Sequence, residues 1–245
     1  MKWNIGCSGF HYKHWKGTFY PEELPQSRWF QHYCTFFNTI ELNVTFYRFP
    51  RAHVLRNWYQ KSPANFFFAV KAPRAITHFK QFTGTASMMS DFYQASIEGL
   101  GEKLGCFLFQ LPPRLPYSEA RLEKILLSLN KDYKNVLEFR HPSWWNPEVY
   151  QKLSLHGVSF CGMSHPSLPA DLVVNAPLVY YRLHGAEGLY PSSYSDEQLS
   201  SLAQMVQASP EADSCYIYFN NDVNSYAAYN AQRLTEIIKE LELKQ

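Results

Sequence analysis

Apolar runs that end in polar residues recur along the chain. FFFAVK (66–71) ends in Lys71, CFLFQ (106–110) in Gln110, VLEFR (136–140) in Glu138 and Arg140, and VYYRLH (179–184) in Arg182 and His184. NTIELNVTF (38–46) carries Glu41 and Asn43, and CYIYFNND (215–222) closes on Asn220, Asn221 and Asp222. The pattern predicts strands over 3–7, 38–45, 66–71, 106–110, 135–140, 158–162, 178–183 and 215–220. Most of these runs are continuous rather than alternating, as strands buried on both faces are. Helix signals fall between them. Residues 28–37 follow Ser27, and residues 119–130 follow Ser118 with Leu122, Ile125, Leu126 and Leu129 at helical spacing. Asn146-Pro147 reads as an N-cap with proline at the first helical position, and Gly157 as the end of that helix. Ser195 with Gln198 forms a capping-box pattern, and a last helix covers about 226–243.

Strand and helix alternating through eight units predict a single TIM-like (β/α)8 parallel barrel over residues 1–245. Two segments depart from the repeat. MSHPSLPADLVVNAP (163–177) is a poor helix, so the sixth crossover is expected to be irregular, and the long aromatic stretch 10–26 is expected to fold over the barrel mouth. In such barrels the site is built where the strands end. Side chains alternate along a strand, so Glu41, Asn43 and Thr45 are expected on one face, Glu138 with Arg140 on another, and Tyr180, Arg182 and His184 on a third. Ser8, Lys71, Gln110 and Asn220 can be phased the same way. An ionised group without a partner cannot sit in the apolar layer between strands and helices, which leaves the interior face near the strand ends.

Composition adds little to the fold and something to the compartment. Aromatic residues make up 17% of the chain, which predicts rings in both core and pocket. The net charge of +2 neither demands nor excludes nucleic acid, because local patches matter more than the sum. Five widely spaced cysteines without a CxxC pair are read as reduced thiols of a cytoplasmic protein. The N-terminus has no signal-peptide core and no apolar run is long enough to span a bilayer, so no membrane partner is expected. The pattern fixes no oligomeric state.

Several runs match a known family in order and spacing: GCSGFHYKHWKGTFYP (6–21), NTIELNVTFYRFP (38–50), FFFAVKAPRAITH (66–78), FLFQLPP (107–113), LEFRHPSWW (137–145), YYRLHG (180–185), YIYFNND (216–222) and NAQRL (230–234). Together they resemble the bacterial and archaeal YecE-like family, domain of unknown function 72, over nearly the whole chain. The resemblance implies a TIM-like barrel and no particular activity. Phe10 stands where that family more often has Trp, which touches packing only.

The candidate chemistry comes from the strand ends. Glu41 and Glu138 can divide acid and base work, with Glu138 as the structural partner of Arg140 or Arg182 and Glu41 as the freer base. The plainer alternative makes each carboxylate an ion-pair partner in a buried network. His184, on the inward face with Arg182, is the third catalytic candidate. Lys71, Arg140 and Arg182 point to an anionic small molecule, phosphorylated or sugar-like, with Tyr12, Asn43, Gln110, Asn220, Asn221 and Asp222 as further binding residues. With no P-loop or GxGxxG, no nucleotide cofactor is expected. A divalent metal on His11, His14, His78, His141, His165 or His184 with the carboxylates is not favoured, since no HxH or HExxH spacing occurs. Rings interleaved with cations over 10–20, and Trp144 and Trp145 after Arg140, suit base stacking or a hydrophobic lid. Three readings stand: an acid–base enzyme, a nucleic-acid-binding or nuclease-like barrel, and a non-catalytic barrel.

Overall fold

The eight apolar runs form β1 (Lys2–Cys7), β2 (Thr39–Leu42), β3 (Phe67–Lys71), β4 (Leu104–Gln110), β5 (Asn135–Glu138), β6 (Ser159–Ser164), β7 (Leu178–Leu183) and β8 (Ser214–Phe219). All paired strands are parallel, in the order β1-β8-β7-β6-β5-β4-β3-β2. The computed structural model describes residues 1–185, 188 and 190–243. The sheet curls into a nearly closed barrel whose two end strands, β1 and β2, are joined by side chains rather than by a backbone ladder. Asn38 donates to Trp3 O at 2.9 Å and accepts from Ile5 N at 3.3 Å. The Tyr33 hydroxyl accepts from Cys7 N at 2.7 Å and donates to Thr39 O at 2.9 Å. Gly6 lies at this seam, where a Cβ would stand 2.3 Å from Thr39 O, so the approach requires a residue without one.

Helices α1 (Trp29–Phe36), α2 (Val44–Tyr47), α3 (Ala52–Lys61), α4 (Ala86–Leu100), α5 (Glu119–Ser128), α6 (Pro147–Leu155), α7 (Asp196–Gln207) and α8 (Tyr226–Glu242) fill the connections. Asn146 caps α6 by accepting from Val149 N at 3.1 Å, Gly157 follows that helix at φ +66°, and both halves of the Ser195–Gln198 capping box are made. Residues 165–177 form no helix. Pro166 and Pro169 interrupt that crossover, and Asn175 ties it to the barrel through Val158 O and Phe160 N.

Packing divides into two layers. Ile5, Cys7, Leu137, Phe139, Phe160, Ile217 and their neighbours face the helices. Ala69, Cys106, Leu108, Val136, Cys161, Tyr180, Tyr216 and Tyr218 fill the barrel interior. All five cysteines are free thiols. Among the described residues, no helix is long and apolar enough to cross a membrane.

One expectation needs correction. β2 stops at Leu42, so Asn43 and Thr45 do not continue the face that carries Glu41. The Thr45 hydroxyl turns back onto Leu42 O at 2.7 Å and Lys71 O at 2.5 Å, which bends the chain into α2. The aromatic stretch 10–26 reaches the strand ends as expected, and Trp15, Phe19 and Tyr20 are buried there as packing, as in the lid alternative. Tyr20 stacks on Trp29 with ring centroids 4.6 Å apart, and Trp144 stacks on Phe139 at 4.1 Å. These rings have no face left for a base.

Candidate active site

Along each strand, every second side chain enters the barrel, and the interior series ends in polar residues on one side. Glu41 ends the series on β2, Lys71 on β3, Gln110 on β4, Glu138 on β5 and Arg182 on β7. This is the carboxyl end of the sheet, where the sequence pattern puts the site.

Arg182 is the centre of the cluster. Nη2 donates to Glu41 Oε1 at 2.8 Å and Nη1 to Glu138 Oε2 at 2.7 Å, with all three side chains essentially closed to solvent. Burial opposes the Arg182 charge, and the two carboxylates outweigh it. The second Glu41 oxygen accepts from the Tyr180 hydroxyl at 2.6 Å. Burial alone would raise the Glu138 carboxyl, but Arg140, Arg182 and Lys71 hold it well below the usual carboxylate range. Arg140 pairs through Nε with the remaining Glu138 oxygen. Glu41 is therefore not the freer base: both of its oxygens are held, as are both of those on Glu138.

His184 is equally engaged. Arg140 Nη2 lies 2.9 Å from its Nε2 and Arg182 Nη1 3.4 Å. A guanidinium can only donate, so Nε2 is the acceptor and the ring proton sits on Nδ1. Asn220 Nδ2 stands 3.0 Å from Nδ1, and a protonated Nδ1 requires the amide turned over so that its oxygen accepts there. Burial and the two guanidiniums push the imidazolium pKa well below the ordinary histidine value, so the ring is neutral.

Lys71 differs from all of these. It is 7% exposed, and among the described residues its ammonium makes no hydrogen bond or ion pair. Nζ lies 4.6 Å over the Phe46 ring. Burial first, and Arg182 second, lower its pKa to about 8. It opens into a cavity of about 1010 Å³. Tyr12, Asn43, Gln110, Arg140, Arg182 and Asn220 share the wall, as do His78 and His165, which the sequence offers only as metal ligands, and Phe46, Tyr47, Arg74, Phe79 and Tyr190, which the strand-end pattern does not pick out.

The candidates thus sort into groups. Tyr12, Asn43, Lys71, Gln110, Arg140, Arg182 and Asn220 converge on the cavity, while Glu41, Glu138 and His184 lie closed to solvent and hydrogen-bonded in the cluster. Asn221 turns away, donating to Ser192 O and Asn230 Oδ1 at 2.9 Å each. Asp222 is partly buried, with its carboxylate 3.4 Å from His14 Nε2 and its carbonyl accepting from Trp15 Nε1 at 2.9 Å. Neither lines the cavity: Asn221 is tied to Ser192 and Asn230, and Asp222 to His14 and Trp15. No group of three or more His, Cys, Asp or Glu among the described residues is arranged to hold a metal ion.

The family model described as protein of unknown function DUF72 matches residues 4–245. The chain belongs to the DUF72 family. UPF0759 protein YunF of Bacillus subtilis is 24% identical over 257 residues, covering 90% of each chain. UPF0759 protein YecE of Escherichia coli is 27% identical over 116 residues, 47% of this chain and 42% of that one. The crystal structure of a DUF72 family protein from Thermotoga maritima superimposes with a TM-score of 0.87 at 31% identity, over 98% of this chain and 100% of the other.

In this DUF72 barrel the turn after β3 adds a further part to the site. PRAITHF (73–79) begins two residues after Lys71, and its segment Ala75–Phe79 is a π-helical turn, a form frequent at functional sites. Arg74 rests between Tyr47, at 5.5 Å, and Phe79, at 5.3 Å. His78 packs edge-on against Phe46, 5.0 Å between ring centroids. The signal was available: a cation, a histidine and an aromatic directly after a strand that ends in lysine.

Proposed function

We propose that the protein is an enzyme acting by acid–base chemistry on a small anionic molecule held at the carboxyl ends of the strands. The observation that carries this reading is Lys71, a cation buried at a roomy cavity with no anion of its own among the described residues. Burying a charge is costly unless something compensates it. The carboxylates nearby are already shared between Arg182 and Arg140, so Lys71, with Arg74 at the rim, leaves the wall with positive charge to spare. A phosphate or carboxylate would balance it. Arg140 offers a guanidinium edge, and Lys71 a group whose pKa near 8 suits proton transfer close to neutral pH.

The Glu41–Arg182–Glu138–Arg140–His184 chain serves this site by positioning. It fixes Arg140 and keeps His184 neutral. Soaked sulfate or phosphate is expected within hydrogen-bond reach of Lys71 and Arg140. An anion that settles elsewhere while this cavity stays vacant would remove the reading.

The exposed rings around Arg74 support a second reading, in which the mouth stacks a base of single-stranded nucleic acid. Tyr47 is 67% and Phe79 71% exposed, enough to offer a face to a flat ligand. Oligonucleotide affinity that falls steeply with salt would favour this reading over the first.

A further inference from the structure

We infer that Lys71 is a covalent nucleophile that forms a Schiff base with a carbonyl compound bearing a carboxylate or phosphate, an inference that rests on the anion-site reading above. The geometry supplies each requirement. The amine ends β3 inside the barrel mouth, shielded from bulk water, with a ring face beneath it and no hydrogen bond restraining its lone pair among the described residues. A lysine desolvated in an apolar setting, or placed beside other cations, is an activated amine, and Lys71 has both features. Its pKa near 8 leaves a sizeable neutral fraction at physiological pH. Arg140 stands on the same wall to hold the anionic end of the substrate.

A proton carrier is also at hand. Phe46 lies under Lys71 Nζ on one contact and against the His78 ring on another, so the amine and the imidazole flank one aromatic side chain. His78 Nδ1 is paired with Thr77 Oγ1 at 2.9 Å, which leaves Nε2 for the cavity. Burial, then Lys71, lower its pKa from the ordinary value, so it enters the reaction neutral and able to accept a proton.

The steps balance without oxidant or reductant. The Lys71 nitrogen adds its lone pair to the carbonyl carbon, and the carbon–oxygen π pair moves to oxygen. The oxygen takes a proton that the Lys71 ammonium had first given to His78, and His78 then takes one from the nitrogen, which gives a carbinolamine and leaves the imidazole protonated. His78 then protonates the hydroxyl, which leaves as water while the nitrogen lone pair forms the C=N bond. Net, one ammonium and one carbonyl give one protonated imine and one water. That imine withdraws electrons from the adjacent carbon, the common activation for aldol cleavage, decarboxylation and α-proton exchange.

The test is borohydride trapping of the intact protein with pyruvate in one arm and dihydroxyacetone phosphate in another, each read by peptide mass spectrometry. The neutral ketone acetone serves as the control. The expected result is a reduced adduct on Lys71 in roughly tenfold or greater excess over any other lysine, in whichever arm carries the preferred anion. Lys71→Arg should abolish it, excess inorganic phosphate should suppress it, and acetone should give little. Phosphate affinity is measured on the same preparation by calorimetry. Phosphate binding without a Lys71 adduct in either arm overturns the Schiff-base inference and leaves the anion site standing. Loss of both phosphate binding and adduct overturns both. Equal labelling across surface lysines, or an undiminished adduct yield in Lys71→Arg, also overturns the inference.

Discussion

Arg182 Nη1 stands 2.7 Å from Glu138 Oε2 inside a barrel where neither side chain meets solvent. The pair is half of a longer ionic chain that places Arg140 at the cavity. Glu138→Gln leaves two guanidiniums short of their carboxylate and should cost on the order of 3–5 kcal/mol in urea unfolding. A loss under about 1 kcal/mol would mean that the chain is not a structural unit.

Glu41→Gln should destabilise to a comparable extent, because Arg182 and Tyr180 occupy both of its oxygens. Tyr180→Phe removes one of those donors and should cost about 1.5–3 kcal/mol, the usual worth of a hydrogen bond to a charged group. Thermal unfolding of the two variants measures both. A fully stable Glu41→Gln protein would return Glu41 to the role of free base.

The seam between β1 and β2 predicts a separate weakness. Tyr33→Phe strips Cys7 N and Thr39 O of their shared partner in a buried position and should cost about 1–3 kcal/mol. Hydrogen exchange should rise first at Cys7, before the rest of β1. Unchanged protection at that amide would show that the seam closes by other means.

Lys71 gives stability a pH dependence of definite sign. Its folded pKa is about 8, below the ordinary lysine value near 10.4. Between the two, the unfolded chain binds more protons than the folded one, so this group's contribution makes stability rise with pH. Relative to Lys71→Met, the parent should gain on the order of 3 kcal/mol from about pH 8 to about pH 10.5. Parallel stability curves for the two proteins would indicate an ammonium that is not desolvated.

Much of this architecture was legible because it rests on local pattern. Continuous apolar runs marked all eight strands, and Asn146, Gly157 and the Ser195–Gln198 pair marked helix ends by chemistry that acts within a few residues. The cluster was legible as a set, since charges at strand ends have one interior face to share. Which of its atoms are free was not legible. Glu41 is closed off by Tyr180, 139 positions away in sequence, and no local spacing records that. The end of β2 is not legible because NVTF alternates like a strand, and the Thr45 hydroxyl bond to Lys71 O that bends it is a tertiary contact. Asn221 looked like a binding residue because it follows an apolar run, whereas its partner Asn230 lies on α8.

An anion site built on Lys71 and Arg140 can be probed by titrating inorganic phosphate into the parent, Lys71→Met and Arg140→Gln proteins by calorimetry near neutral pH and at low salt. The parent is expected to bind saturably at one site, with affinity weakened roughly ten- to a hundredfold in each variant, as for loss of a charged hydrogen bond. A parent that binds no phosphate, or variants that bind it as tightly as the parent, would contradict it.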